Sequence, residues 1–257
     1  MVRMKILITG GNGYIAKSLS KALSNKYDVV SITRQDFDLT DREATDKWFQ
    51  NKYFDVVIHT AIKGGSRLRT DNGDDFYQNL QMFYNLYYNK SCFGKFINFG
   101  SGAELGQPNT PYGLSKKVIN ELIKLEPEFY NFRIFAVFDE NELDTRFIKG
   151  NIKRYINKEK IIIHQNKLMD FFYMKDLITL IVNYIETKYL PKVIECTYIK
   201  KYSLLDIANI INNLSDYKVI IKQLDSAMGS SYTGLGVPNS NLIGLEQGII
   251  NTYNKLK

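Results

Sequence analysis

Four residues, Gly10-Gly11-Asn12-Gly13, separate an apolar run, Lys5–Thr9 (KILIT), from a stretch at 14–24 whose Ile15, Leu19, Ala22 and Leu23 share one helical face. A buried strand, a glycine turn and an amphipathic helix in that order predict the opening of a parallel sheet. A glycine permits the tight turn, another lets a ligand approach the backbone, and the helix N-terminus then offers free N–H groups and a partial positive charge to an anion.

The alternation continues. Strand patterns at 29–33, 55–61, 95–99 and 132–138 are interleaved with helical patterns at 42–49, 76–90 and 112–125, with Asp41 placed to cap the first of these helices. Strands alternating with helices predict an α/β fold, a Rossmann-type doubly wound parallel sheet covered on both faces. After residue 138 the alternation loosens. Helices are expected at 149–157, 176–189, 204–214 and 245–256, and strands at 161–164 and 219–222; a Gly- and Ser-rich stretch at 225–241 has no period. This half reads as a smaller α/β C-terminal substrate lobe over the carboxyl ends of the strands, closing a crevice at the topological switch point. The expected division is 1–138 for the dinucleotide-binding Rossmann domain, with 165–200 returning to it, and 139–164 with 201–257 for the lobe.

Within this frame Gly10, Asn12, Gly13, Tyr14 and Ile15 are expected at the pyrophosphate. Arg34 stands at the end of the second strand, where an acidic residue would bind the adenine ribose of NAD and an arginine suits a 2′-phosphate; it points to NADP(H). Asp36 and Asp38 are close enough to take the acidic role instead, and Asp38-Leu39 is placed to flank the adenine.

Tyr112-Gly113-Leu114-Ser115-Lys116 puts Tyr112 and Lys116 one helical turn apart on one face. A neighbouring ammonium stabilises tyrosinate, so Tyr112 can exchange a proton with a carbinol oxygen. Lys116 can also hold a nicotinamide ribose. Ser101, in Phe99-Gly100-Ser101-Gly102 just past a strand end, can bond the same oxygen. In a chain with 18 tyrosines the Tyr-x-x-x-Lys spacing carries little weight alone; its place after a glycine-turn half, with a serine at the preceding strand end, gives it meaning.

Composition removes several other classes. The net charge of +7 comes from lysines spread along the chain, without a basic block, which argues against nucleic acid and suits ligands that carry pyrophosphate. No stretch is apolar enough to span a membrane, and the N-terminus lacks the apolar core of a signal peptide. Cys92 and Cys196, the only cysteines, are expected as reduced, buried thiols, and His59 and His164 do not make a metal site. His59 is expected to be structural. A cytoplasmic enzyme without metal follows from these readings.

The chain resembles the extended short-chain dehydrogenase/reductase family of nucleotide-sugar epimerases, dehydratases and reductases. Residues 9–15 resemble its TGxxGxI fingerprint, 55–61 (DVVIHTA) its DVVIHxA strand, 79–86 its NxxGTxNL helix, and 170–176 (DFFYMKD) its DFxYVxD segment. Ser101, Tyr112 and Lys116 fall on its catalytic triplet. Three further stretches, 33–39, 61–65 and 75–79, resemble the GDP-fucose synthase-like 4-ketoreductases within it, which use NADPH. The resemblance implies that Thr60, Ala61, Ile62, Lys63 and Asn79 join the cofactor site and that Gly102 and Ala103 face the substrate. It also implies a homodimer paired through the helix carrying Tyr112 and the long helix before it.

Departures narrow the chemistry. The family's epimerase cysteine would stand at Ala103, and its histidine partner near Arg146, where there is none. The dehydratases' Asp-Glu pair would stand at Gly102 and Ala103, with Glu104 one place late. The arginine preceding the DFxYV segment is Met169, so Arg146, Lys149 or Lys153 is expected to meet the substrate's phosphates. The implied activity is NADPH-dependent reduction of a nucleotide-linked 4-keto sugar, a GDP-sugar first, in glycan precursor synthesis. An NAD-dependent 4-epimerase and a catalytically idle NADP-binding regulator are the alternatives.

Overall fold

The computed structural model describes residues 3–66, 69–238 and 241–257; Met1, Val2, Arg67, Leu68 and, in the Gly- and Ser-rich stretch, Asn239 and Ser240 lie outside the described residues. The elements run β1 (Lys5–Thr9), α1 (Tyr14–Leu23), β2 (Asp28–Ile32), α2 (Arg42–Phe49), β3 (Phe54–His59), α3 (Gly73–Tyr88), β4 (Phe93–Ser101), α4 (Ala103–Gly106), α5 (Pro111–Lys124) and β5 (Phe129–Ile134). They continue as β6 (Val137–Phe138), α6 (Phe147–Ile156), β7 (Ile161–Gln165), β8 (Phe172–Tyr173), α7 (Met174–Glu186), β9 (Val193–Cys196), α8 (Leu204–Asn212), β10 (Ile221–Asp225) and α9 (Leu245–Leu256).

Six strands form one sheet in the order β2-β1-β3-β4-β5-β9. β1 pairs parallel with β2 on one side and β3 on the other, and β3 pairs parallel with β4. Strand order therefore reverses at β1, and the crevice beyond the carboxyl ends of β1 and β3 is the switch point of a Rossmann-type α/β sheet, as the alternation predicts. Leu7, Val57 and Phe96 of successive strands pack with Phe83 and Leu86 of α3 and Ile119 and Ile123 of α5, all buried. Asp41 caps α2 by accepting the Ala44 N–H at 3.0 Å.

Two element boundaries differ from the expectation. α3 begins at Gly73, three residues before its apolar periodicity, because Asn72 and Asp75 form a reciprocal capping box. The single strand expected over 132–138 is two: β5 ends at Ile134, and Val137–Phe138 pairs parallel with Phe172–Tyr173 in a separate ladder. A mostly apolar run does not show where a chain changes partner, so periodicity could not reveal that break. β9, four residues long, and the one-turn α4 carry no periodicity of their own and were not expected.

The chain forms two compact units, residues 1–133 with 181–194 and residues 134–180 with 195–257. In the first, the buried Lys95 ammonium donates to the carbonyls of Tyr184 and Thr187 at the end of α7, satisfying acceptors that a helix C-terminus leaves open. The second has its own core: Ile148, Ile152 and Tyr155 of α6, Ile207 and Ile211 of α8 and Ile249 and Tyr253 of α9 surround Phe138, Ile161 and Ile163. β7 and β10 pair parallel beside it. Both cysteines are free thiols; Cys196 is buried as expected, but Cys92 is only half-buried, because it ends the turn into β4. Among the described residues no helix is long and apolar enough to cross a membrane.

Candidate active site

The glycine turn leaves β1 at the switch point. Gly10 adopts φ +70, and a Cβ on it would lie 2.8 Å from the backbone of Ala61, so only glycine lets β1 and β3 end side by side here. The turn is held by Gly11 N–H donating to Ile32 O and Gly13 N–H to Gly10 O, both at 2.8 Å. Thr60 Oγ1 donates to Thr9 O at 2.7 Å, and Thr9 Oγ1 and His59 Nδ1 share a bond of 2.8 Å. His59 is buried, and burial first, then the Lys116 charge, pushes its imidazole down to about 3; it is neutral and structural.

A cavity of about 340 Å3 opens over this turn. Of the residues assigned from sequence, Gly10, Asn12, Gly13, Arg34, Asp38, Leu39, Thr60, Ala61, Ile62 and Lys63 line it. Tyr14 and Ile15, which start α1 beneath the turn, do not, nor do Asn79, Tyr112 and Lys116. Ile32, Thr33, Phe37 and Met82 line it and were missed. Met82 lies three residues after Asn79, so one face of α3 carries both, a helical relation visible in the sequence.

The cavity distinguishes the candidate ribose ligands. Asp36 folds back on Thr33, accepting its N–H at 2.7 Å and its hydroxyl at 3.0 Å, and it does not line the cavity. Asp38 accepts the N–H and hydroxyl of Thr40 at 2.9 and 2.8 Å, and these bonds hold it below the usual carboxylate range. Arg34 is 62% exposed, with a loose 3.4 Å contact to Asp38, and its guanidinium has donors to spare.

Asn79 is a clamp. Buried in α3, it accepts the Lys63 N–H at 2.8 Å, donates to Lys63 O at 3.0 Å, and donates to Ser115 Oγ of α5 at 3.1 Å. It thereby ties the loop after β3 to the helix carrying Tyr112. Farther along this loop Gly65, at φ +66, lies against the Tyr112 ring, and its N–H donates to Asp71 at 2.9 Å.

The catalytic candidates come together in the first unit. Thr110 caps α5 by accepting the Gly113 N–H at 3.1 Å, and Pro111 opens the helix, which places Tyr112 in its first turn. The Lys116 ammonium lies 5.9 Å from the centre of the Tyr112 ring and donates to Phe99 O. Burial pushes Lys116 down to about 8, with Glu104 opposing; burial wins. Ser101 ends β4, and its Oγ accepts the Ala103 N–H at 3.1 Å, leaving its own proton to donate. Glu104, the late carboxylate, points away from solvent: it is buried and paired with Arg133. Gly102 and Ala103 lead from Ser101 into α4.

Arg146 and Lys149 belong to the second unit. Arg146 is the exposed N-cap residue of α6, without a side-chain capping bond. The Lys149 ammonium donates to Glu142 O at 2.7 Å and meets Asp144 at 2.9 Å, and Lys153 also contacts Asp144. Glu142 accepts the Lys149 N–H at 3.1 Å and so caps α6 from outside it. Burial drives its carboxyl up to about 8.

Comparison with known proteins identifies the family. The NAD dependent epimerase/dehydratase family pattern matches residues 6–196. The CDP-abequose synthase of Yersinia pseudotuberculosis is 25% identical over 209 residues, covering 70% of this chain and 72% of that protein. A putative UDP-glucose 4-epimerase of Methanocaldococcus jannaschii is 28% identical over 220 residues, covering 67% and 70%. The crystal structure of a GDP-L-fucose synthetase from Naegleria fowleri superposes with a TM-score of 0.80 at 17% identity, covering 99% of this chain and 93% of that one; a second structure of it was solved bound to NADP. The chain belongs to the NAD dependent epimerase/dehydratase family, whose members bind a nicotinamide cofactor and epimerise, reduce or dehydrate nucleotide-linked sugars. The residues present fit such a cofactor: a cradle that a Cβ on Gly10 would obstruct, a helix N-terminus beneath it, and a cationic side chain at the far edge.

Proposed function

We propose that this enzyme is an NADPH-dependent reductase of a nucleotide-linked 4-keto sugar, a GDP-sugar first, in glycan precursor synthesis. The observation that carries the cofactor choice is the exposed Arg34 guanidinium on the cavity wall, beside carboxylates already committed to Thr33 and Thr40. A guanidinium there recognises a 2′-phosphate by charge-assisted bonds, which a ribose hydroxyl cannot repay. A cofactor gripped by an exposed arginine suits an enzyme that exchanges it at each turnover.

The mechanism follows from the triplet. The dinucleotide, when bound, supplies the hydride. Ser101 donates its hydroxyl proton to the substrate's keto oxygen and orients it. Tyr112 gives that oxygen its proton as negative charge develops, and the Lys116 ammonium stabilises the tyrosinate left behind. Ala103 offers no acid or base beside Ser101, which is why reduction without epimerisation is preferred. Gly102, Ala103 and, within the second unit, Arg146 are assigned to the substrate; Lys149 is the weaker choice, because its ammonium is already engaged. On this reading the enzyme acts in the cytoplasm as a homodimer, a state that sedimentation measures.

The test is NADPH oxidation with GDP-4-keto-6-deoxymannose. Wild type should turn over, Tyr112→Phe should not, and Tyr112→Phe should still bind NADPH. Turnover retained by Tyr112→Phe would sink the assignment. One observation keeps a second reading: Asp38 also lines the cavity, so an NAD-dependent 4-epimerase holds if NADH binds tightly and no net cofactor is consumed.

A further inference from the structure

Behind the catalytic serine lies a polar cluster that the mechanism above does not use. Glu104, on the first turn of α4, is buried. Its Oε1 accepts the backbone N–H of Ser101 at 2.9 Å and the Asn131 amide at 3.2 Å. Its Oε2 accepts from Arg133 Nε at 3.0 Å and lies 3.0 Å from Arg133 Nη2, both donors coming from β5. Asn131 is itself held by Asn120 of α5 at 2.8 Å and Asn98 of β4 at 2.7 Å. A Cβ on Gly100 would collide with Glu104 and Asn131, so the glycine before Ser101 keeps open the space the carboxylate fills. Such a set of buried groups is costly unless each is paired, and breaking one partner leaves a buried charge uncompensated.

We infer that Glu104 is a positioning residue of the reductive site: it fixes Ser101 through the serine's backbone N–H and places a negative charge beside the buried Lys116 ammonium. The inference rests on the proposed reductase mechanism. Lys116 donates to the Phe99 carbonyl, two residues before the Ser101 N–H that Glu104 holds, so the carboxylate from α4 and the ammonium from α5 meet the same end of β4. The neutral His59 from β3 and the Tyr112 ring one turn away on α5 are the other titratable groups on this side of Lys116. Glu104 is the anion among them, and it opposes the burial that drives the ammonium towards its neutral form. Arg133 and Asn131 keep the carboxylate in place. The same side chain thus couples two members of the triplet, orienting the hydroxyl of one and sustaining the charge of the other.

Glu104→Gln keeps the size and one acceptor of the side chain and removes the charge. With NADPH and GDP-4-keto-6-deoxymannose, kcat should fall about tenfold or more, with KM for NADPH within about twofold and the alkaline limb of the kcat profile moved to lower pH. In 15N-lysine NMR without substrate, the Lys116 signal, identified by its absence from Lys116→Met, should titrate at lower pH than in wild type. Glu104→Gln/Arg133→Gln, which leaves no unpaired charge, guards against simple misfolding and should show a downward shift that is smaller, because a positive charge beside the carboxylate is withdrawn with it. An unchanged Lys116 titration in both variants overturns the inference, whether or not kcat falls, because packing alone would leave that titration in place. Turnover by Tyr112→Phe would instead overturn the reductase reading, and the Lys116 titration would still decide the Glu104 link.

Discussion

Gly65 lies so close to Tyr112 that a Cβ on it would sit 2.8 Å from Cζ and 2.9 Å from Cε2 of the ring. The loop after β3 is therefore one wall of the seat in which the proposed acid rests. Gly65→Ala should push the ring aside and add the strain of an L-residue at φ +66, on the order of 1 kcal/mol. The expected result is a kcat reduced about tenfold or more, with NADPH affinity nearly unchanged, because misplacing a reacting group costs rate before binding. Single-turnover kinetics beside a cofactor titration checks this; an alanine variant of wild-type rate would show that the contact does not position the phenol.

Arg34→Ala should weaken NADPH binding about 10- to 100-fold and leave NADH within about twofold, since only the 2′-phosphate loses charge-assisted bonds. Fluorescence titration with both cofactors on both proteins decides it. Equal losses for the two cofactors would remove the basis for choosing NADPH.

Lys116 has opposite effects on activity and on stability. Buried, its ammonium sits at about 8 against the usual lysine value of 10.5. The folded state thus binds its proton less tightly than the unfolded state, and this residue's penalty is full below pH 8 and fades as pH rises to 10.5. Lys116→Met should therefore raise the Tm at pH 7, with an advantage that shrinks towards pH 10.5, while abolishing turnover. In the wild type, the reduction rate should fall as pH passes about 8 and the ammonium is lost. Calorimetry across pH, beside a pH–rate profile, tests both parts.

Glu142 carries a sign of its own. Its carboxyl is raised from 4.5 to about 8 by burial, so the folded state holds the proton more tightly than the unfolded state. Its contribution to stability falls as pH rises from 4.5 to 8 and is constant above. Glu142→Gln keeps an acceptor for the Lys149 N–H and should gain on the order of 2–4 kcal/mol relative to wild type at pH 8 to 9, with little difference near pH 4. Chemical denaturation at the two pH values measures it. An advantage of equal size at both would assign the effect to packing.

Several of these residues were legible in the chain because their relations are local. The glycine turn, the Asp41 cap and the Tyr112–Lys116 spacing each involve residues within a few positions of one another, so periodicity and backbone chemistry expose them. The same local logic places Met82, on the cavity wall, one turn after Asn79.

By itself the sequence determined that the first unit would be a parallel sheet with a glycine turn at its switch point and a tyrosine and lysine on one helical face, because strand and helix periods and glycine stereochemistry act over short distances. Only the tertiary structure decided that Arg34 is left open while Asp36 and Asp38 are committed, that Asn79 clamps Lys63 to Ser115, that the chain changes ladders after Ile134, and that Glu104 turns inward to Arg133 rather than towards substrate. Most of those relations join residues far apart in the chain, and the rest turn on which partner a polar side chain takes. That choice is set by burial and by the pairing that burial demands, which no local pattern encodes.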